Sequence, residues 1–244
     1  MKHLTDYILH LADNALIMGQ RNAEWCGHGP ILEQDIALTN ISLDLIGQSR
    51  YLYQYAAELA GNNATEDSLA YLRTEREFKN CLLTEQPNGD WGQTILKQFL
   101  FSTYQLYLFE WLQQYQDERL KAIAAKALKE VTYHVRWSSE WVIRLGDGTE
   151  ESKQRMLNAI DALWMYTGEM FIPSESEMAL QIPLDRIYKQ WDAKTKAVLN
   201  EATLLIPEKV FMQKGGKSGV HTEYLGYILT EMQYMQRTYP DSEW

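Results

Sequence analysis

Apolar residues recur at three- and four-residue steps through nearly every segment of the chain, the period at which a helix returns one face to the core. No run of alternating β-branched residues has a hairpin turn beside it. The pattern therefore predicts an all-α fold, with helices near 2–24, 31–60, 66–86, 91–115, 118–145, 150–170, 185–204 and 221–238. Gly27-His28-Gly29-Pro30 ends the first helix, Gly61-Asn62-Asn63 the second, Pro87-Asn88-Gly89-Asp90 the third and Gly146-Asp147-Gly148 the fifth. Ile172-Pro173-Ser174-Glu175-Ser176 through Pro183 reads as a surface connection, and Lys214-Gly215-Gly216-Lys217-Ser218-Gly219 as a second, basic one. Neither is long enough for a linker, so a single domain over 1–244 is expected.

Two stripes are interrupted in the same way. In the second helix Leu38, Ile41, Leu45, Leu52 and Leu59 share a face, and Gln48 fills the missing step. In the fifth, Ile123, Ala127, Val131, Ser138 and Leu145 form the stripe, and His134 takes the corresponding place. Asp44 stands four residues before Gln48 and Glu130 four before His134, so each pair shares a helix face. The helix at 91–115 is apolar on two sides, with Ile95, Phe99, Leu106 and Leu112 on one and Phe101, Tyr104, Leu108 and Trp111 on the other. It should lie at the centre, covered by its neighbours.

Inward-facing carboxylates and a histidine in a helical bundle raise the question of a metal. Carboxylate-bridged di-iron bundles take one Glu from each of two helices and a Glu-x-x-His pair from each of two others, because i and i+3 project together into the core. That spacing is missing. The position three before His134 is Val131, and three before Gln48 is Leu45. Glu77-Phe78-Lys79-Asn80 has the spacing but ends in Asn, and from Trp91 to Phe109 the central helix has no Asp or Glu. Asp44, Gln48, Glu130 and His134 are therefore expected to form a buried hydrogen-bonded network standing where a metal would be. A single labile metal on His134 and carboxylates is the alternative.

Composition narrows the partners. The 23 Lys and Arg against 33 Asp and Glu give a net charge of −10, which disfavours nucleic acid and anionic membrane. No stretch approaches the roughly 20 apolar residues of a membrane span, and the N-terminus lacks a signal-peptide block, so a cytoplasmic protein is expected. Aromatic residues make up 12% of the chain, enough to suggest a thick core or large protein contacts. Cys26 and Cys81 are too few for a disulfide framework, and both read as small buried residues.

Two further motifs hold candidate chemistry. Gly216-Lys217-Ser218 superficially resembles a phosphate-binding P-loop, but Phe211 stands where that motif needs glycine and no strand precedes it. The loop with Lys214, Lys217 and His221 could still contact a phosphate or a neighbouring subunit; the alternative is a solvated connection. Glu24-Trp25-Cys26-Gly27-His28 places a cysteine near a histidine in a helix-ending turn, where the two side chains rarely meet; a capping or packing role is expected.

Several strings together resemble one family: Asp13-Asn14-Ala15-Leu16-Ile17-Met18-Gly19-Gln20-Arg21, Glu24-Trp25-Cys26-Gly27-His28, Asn40-Ile41-Ser42-Leu43-Asp44-Leu45-Ile46-Gly47-Gln48, Glu85-Gln86-Pro87-Asn88-Gly89 and Gly219-Val220-His221-Thr222-Glu223. They are similar to the C subunits of bacterial 1,2-phenylacetyl-CoA epoxidases, from the first helix to the last. The resemblance implies a ferritin-like helical bundle with additional helices and a place in aerobic phenylacetate catabolism. It implies a non-catalytic structural subunit with no catalytic residue and no cofactor of its own. The di-iron centre and phenylacetyl-CoA would belong mainly to a partner catalytic A subunit of this NADPH-dependent monooxygenase complex, and flavin and an iron–sulfur cluster to its reductase component. Self-association is a further option. The rival expectations are a di-iron-type oxygenase in its own right, using Asp44, Glu130 and His134, and a stand-alone ferritin-like binding protein.

Overall fold

The computed structural model describes residues 2–240 and Ser242. Four long helices make its body: α1 (Lys2–Ala23), α2 (Leu32–Ala60), α5 (Trp91–Leu112) and α6 (Glu118–Gly146). Between them lie the short α3 (Glu66–Tyr71) and α4 (Leu82–Glu85). After them come α7 (Glu150–Leu163), α8 (Glu175–Ala179), α9 (Leu184–Glu201) and α10 (Glu223–Thr238). No strand occurs among the described residues, and the fold is the all-α, ferritin-like bundle with added helices.

The helix ends follow local chemistry. Asp90 starts α5 by accepting from Gln93 N at 3.0 Å, and Asp117 starts α6 by accepting from Leu120 N at 2.8 Å. Thr65 and Ser68 close a reciprocal capping box at α3. Gly61, Asn62 and Asn63 end α2 with positive φ values of 64°, 53° and 59°, a conformation that glycine and asparagine tolerate.

α1 packs along α2 and α5 along α6, and α2 faces α6 across the bundle. The α2 stripe of Leu38, Ile41, Leu45 and Leu52 is fully buried, each side chain contributing about 2 kcal/mol relative to exposure. α5 is covered by α6, α7 and α9 and is buried on nearly every side, in keeping with its two-sided apolar pattern. Gly19 of α1 lets the α1–α2 pair close up, since a Cβ there would sit 3.1 Å from Ile46 Cγ1. One contiguous apolar core draws on every long helix.

Three expectations are corrected. The helix expected over 66–86 is broken into α3, a 3₁₀ turn at Glu75–Glu77 and α4, because buried polar groups capture the intervening backbone, as described below. The connection after Ile172 holds α8, and Glu177 within it is buried rather than on the surface. Of the two cysteines Cys81 is buried, but Cys26 is exposed in the turn after α1.

Candidate functional site

Gln48 of α2 and His134 of α6 enter the bundle from facing helices, both buried, as their places in the apolar stripes predict. Asp44 and Glu130, one turn earlier on the same helices, are half-buried. The four side chains pair across the helices rather than along them. His134 Nε2 donates to Asp44 Oδ2 at 3.0 Å, and Gln48 Nε2 donates to Glu130 Oε2 at 2.9 Å. A carboxylate only accepts, so the first contact places the imidazole proton on Nε2. Gln105 of α5 extends the network by donating through Nε2 to Gln48 Oε1 at 3.4 Å. The stripe pattern missed Gln105, because α5 is buried all round and marks no single inward step.

This donor set does not fit a carboxylate-bridged di-iron pair, which takes about four carboxylates and two imidazoles. Leu45 and Val131 fill the positions that would complete Glu-x-x-His, Gln48 offers an amide, and Asp44 and Glu130 each accept from a side chain of the opposite helix. Among the described residues no group of three or more His, Cys, Asp or Glu is placed to hold a metal ion.

A second polar cluster lies at the other end of the sequence, under the loop 214–222. Lys217 turns inward, its ammonium 2.9 and 3.0 Å from the two oxygens of buried Glu177, and donates to Met170 O and Ile172 O as well. Burial alone would raise the Glu177 carboxyl, but Lys217 and then His10 overcome it and hold it below its ordinary value. The loop's backbone amides are also committed: Gly215 N donates to Glu169 Oε1 at 2.7 Å. His221 donates through Nδ1 to Glu85 Oε2 at 2.8 Å and through Nε2 to Phe78 O at 3.0 Å. Both partners accept only, so the ring is the doubly protonated cation; burial opposes this, but Glu85 raises its pKa above the ordinary value. Lys214 alone of the three named loop residues stays exposed, at a cavity of about 590 Å³ also lined by His3 and Lys79.

Further clamps fix the segment 72–90 to α1, and several of their residues belong to the strings that carry the family resemblance. Asp13 is fully buried and accepts from Arg73 Nη1 at 3.1 Å, Tyr53 Oη at 2.5 Å and Lys79 N at 2.8 Å, with Arg73 Nη2 closer still. Asn14 Oδ1 accepts from Cys81 N at 2.8 Å. Arg21 donates to Glu85 O at 3.1 and 2.8 Å, and Asn88 Nδ2 donates to Arg21 O at 2.6 Å. Glu85, also buried, receives His221, Asn80 Nδ2 at 2.9 Å, and both N and Oγ1 of Thr222 at 2.7 Å. Chain segments far apart in sequence thus share one set of buried charges, and long-range pairing of this kind leaves no periodic mark.

The phenylacetic acid catabolic protein family model matches residues 1–244, and the chain belongs to that family. Among curated proteins it is similar to the C subunit of the 1,2-phenylacetyl-CoA epoxidase of Escherichia coli (strain K12), at 48% identity over 249 residues covering 100% of each chain.

Proposed function

We propose that this chain is a non-catalytic structural subunit of a 1,2-phenylacetyl-CoA epoxidase, acting in phenylacetate catabolism in the cytoplasm as one unit over 1–244. Its task is to hold the di-iron catalytic A subunit in working shape. Oxygen activation and ring epoxidation of phenylacetyl-CoA stay with that partner, and NADPH-derived electrons arrive through a flavin and iron–sulfur reductase.

The observation that carries the reading is the pairing across α2 and α6 of His134 with Asp44 and of Gln48 with Glu130. Each of these four side chains has a partner on the opposite helix, and the apolar Leu45 and Val131 are buried beside them. Among the described residues no helix is long and apolar enough to cross a membrane, which accords with action away from one. Within the basic loop, Lys214 is the residue free to meet a CoA phosphate or a neighbouring subunit, because Lys217 and His221 serve internal carboxylates.

The test is iron bound per chain after anaerobic reconstitution with ferrous iron, on the purified chain and on its complex with the catalytic subunit. The expected result is no stoichiometric iron on the chain alone and normal iron in the complex. About two irons per isolated chain, the content of a working di-iron bundle, would overturn the proposal.

A further inference from the structure

Two tyrosine hydroxyls are buried without partners. Tyr7 of α1 and Tyr104 of α5 are 0% and 1% exposed, and neither Oη has a hydrogen-bond partner among the described residues. Native interiors rarely keep a polar group unpaired, so each such group needs an explanation. Burial raises both phenol pKa values well above the ordinary one, and the next cause for each is the Glu177 carboxylate; Tyr104 also feels Tyr7. The two phenols thus lie about the same buried carboxylate.

The same place holds two acceptors that face one another. His10, one turn after Tyr7 on α1, donates through Nδ1 to Lys79 O at 2.7 Å. Burial lowers the pKa of this ring against the opposing pull of Glu177, so at neutral pH it carries one proton. The carbonyl places that proton on Nδ1 and leaves Nε2 as a bare lone pair. Nε2 lies 3.9 Å from Glu177 Oε1, beyond hydrogen-bond reach and with no proton between them. Asn14 Nδ2 does not fill the gap. It is 3.3 Å from both ring nitrogens, hence on the plane midway between them and off the lone pair of either. Glu177 Oε1 accepts from Lys217 at 2.9 Å and keeps a further lone pair.

Two unused donors beside two acceptors that lack one are the complement of a single water molecule, which donates twice and accepts twice. We infer that one internal water bridges Tyr7, His10, Tyr104 and Glu177, donating to His10 Nε2 and Glu177 Oε1 and accepting from the two phenols. A metal cation is the poorer occupant: the Lys217 ammonium already pairs with Glu177, and a hard cation takes about six or more oxygen ligands. A cavity of about 840 Å³ beside α8 is lined by Glu177 and Phe171, and Phe171 stands edge-on to Tyr104 at 5.8 Å between ring centres, which gives the water a short way in from solvent. Bound there, it ties α1 and α5 to the short α8. It thereby backs the carboxylate on which Lys217 anchors the loop 214–222.

The test is a crystal structure of the full-length chain at a resolution that shows ordered water, together with thermal unfolding of wild type, Tyr7→Phe, Tyr104→Phe and the double variant. These substitutions remove only hydroxyls, so all four proteins should fold. The expected density is one water within about 3.2 Å of both phenol oxygens, His10 Nε2 and Glu177 Oε1. Each single variant should lower Tm by about 2–4 °C. The double variant should lose clearly less than the sum, because both hydroxyls serve one water. A Tm that rises in either single variant would reveal an unpaired hydroxyl and overturn the site. Additive losses, or phenols seen bonded directly to protein atoms, would mean separate partners and overturn the shared water. A peak at about 2.3–2.6 Å from several oxygens would be a metal ion and overturn the occupant.

Discussion

Lys97 is a fully buried lysine on α5 whose ammonium has no carboxylate partner. Its Nζ donates to Gln86 O at 2.6 Å and to Asn88 Oδ1 at 3.0 Å, both neutral acceptors. Burial, and secondarily the positive Arg21, lower its pKa from the ordinary 10.5 to about 7, with Glu24 opposing. Between those two values the unfolded chain binds a proton that the folded chain does not, so stability rises with pH across the window. Below pH 7 both states are protonated, and the penalty is constant at about 5 kcal/mol, at 1.36 kcal/mol per unit. Lys97→Met keeps most of the side-chain volume and removes the charge, but leaves two acceptors without this donor at a cost of about 1–3 kcal/mol. The variant should therefore be more stable than wild type at pH 7 by about 2 kcal/mol. That advantage should shrink by about 2 kcal/mol between pH 7 and 9, as wild type sheds its proton. Urea denaturation of both proteins at pH 7, 8 and 9 measures the difference, in which other titrating groups cancel. An advantage that stays constant over this range would refute the argument.

Two other buried charges give predictions of opposite kinds. Arg73→Met leaves Asp13 buried with only Tyr53 and Lys79 N to pair it, and should cost about 3–5 kcal/mol in urea denaturation. A cost below about 1 kcal/mol would show that the Asp13 pair is not what seats segment 72–90. His221 has a raised folded pKa, so the stability it adds is fully present below its unfolded value near 6.5 and is lost as pH rises through the folded value. The stability gap between wild type and His221→Asn should accordingly narrow as pH is raised from 6 through the titration of the folded ring. A gap that widens with pH would mean that His221 is not the charged partner of Glu85.

The residues that could be read from the sequence differ from those that could not by the range of their interactions. Gln48 and His134 were visible because a helix repeats every 3.6 residues, and a polar side chain at an apolar step is a local anomaly. Asp44 and Glu130 followed from their spacing, although the structure joins each to the opposite helix rather than to its own neighbour. The segment 66–86 misled for the complementary reason. Its composition allows a helix, but Asp13, Asn14 and Glu169 accept the backbone N–H groups of Lys79, Cys81 and Leu82. Carboxylates and an amide 66 to 87 residues away thereby replace the hydrogen bonds that a continuous helix would have made. The same limit applies to Lys217. From sequence it belongs to a flexible basic loop, and only the fold brings Glu177 to its ammonium, turning an apparent surface cation into a buried strut.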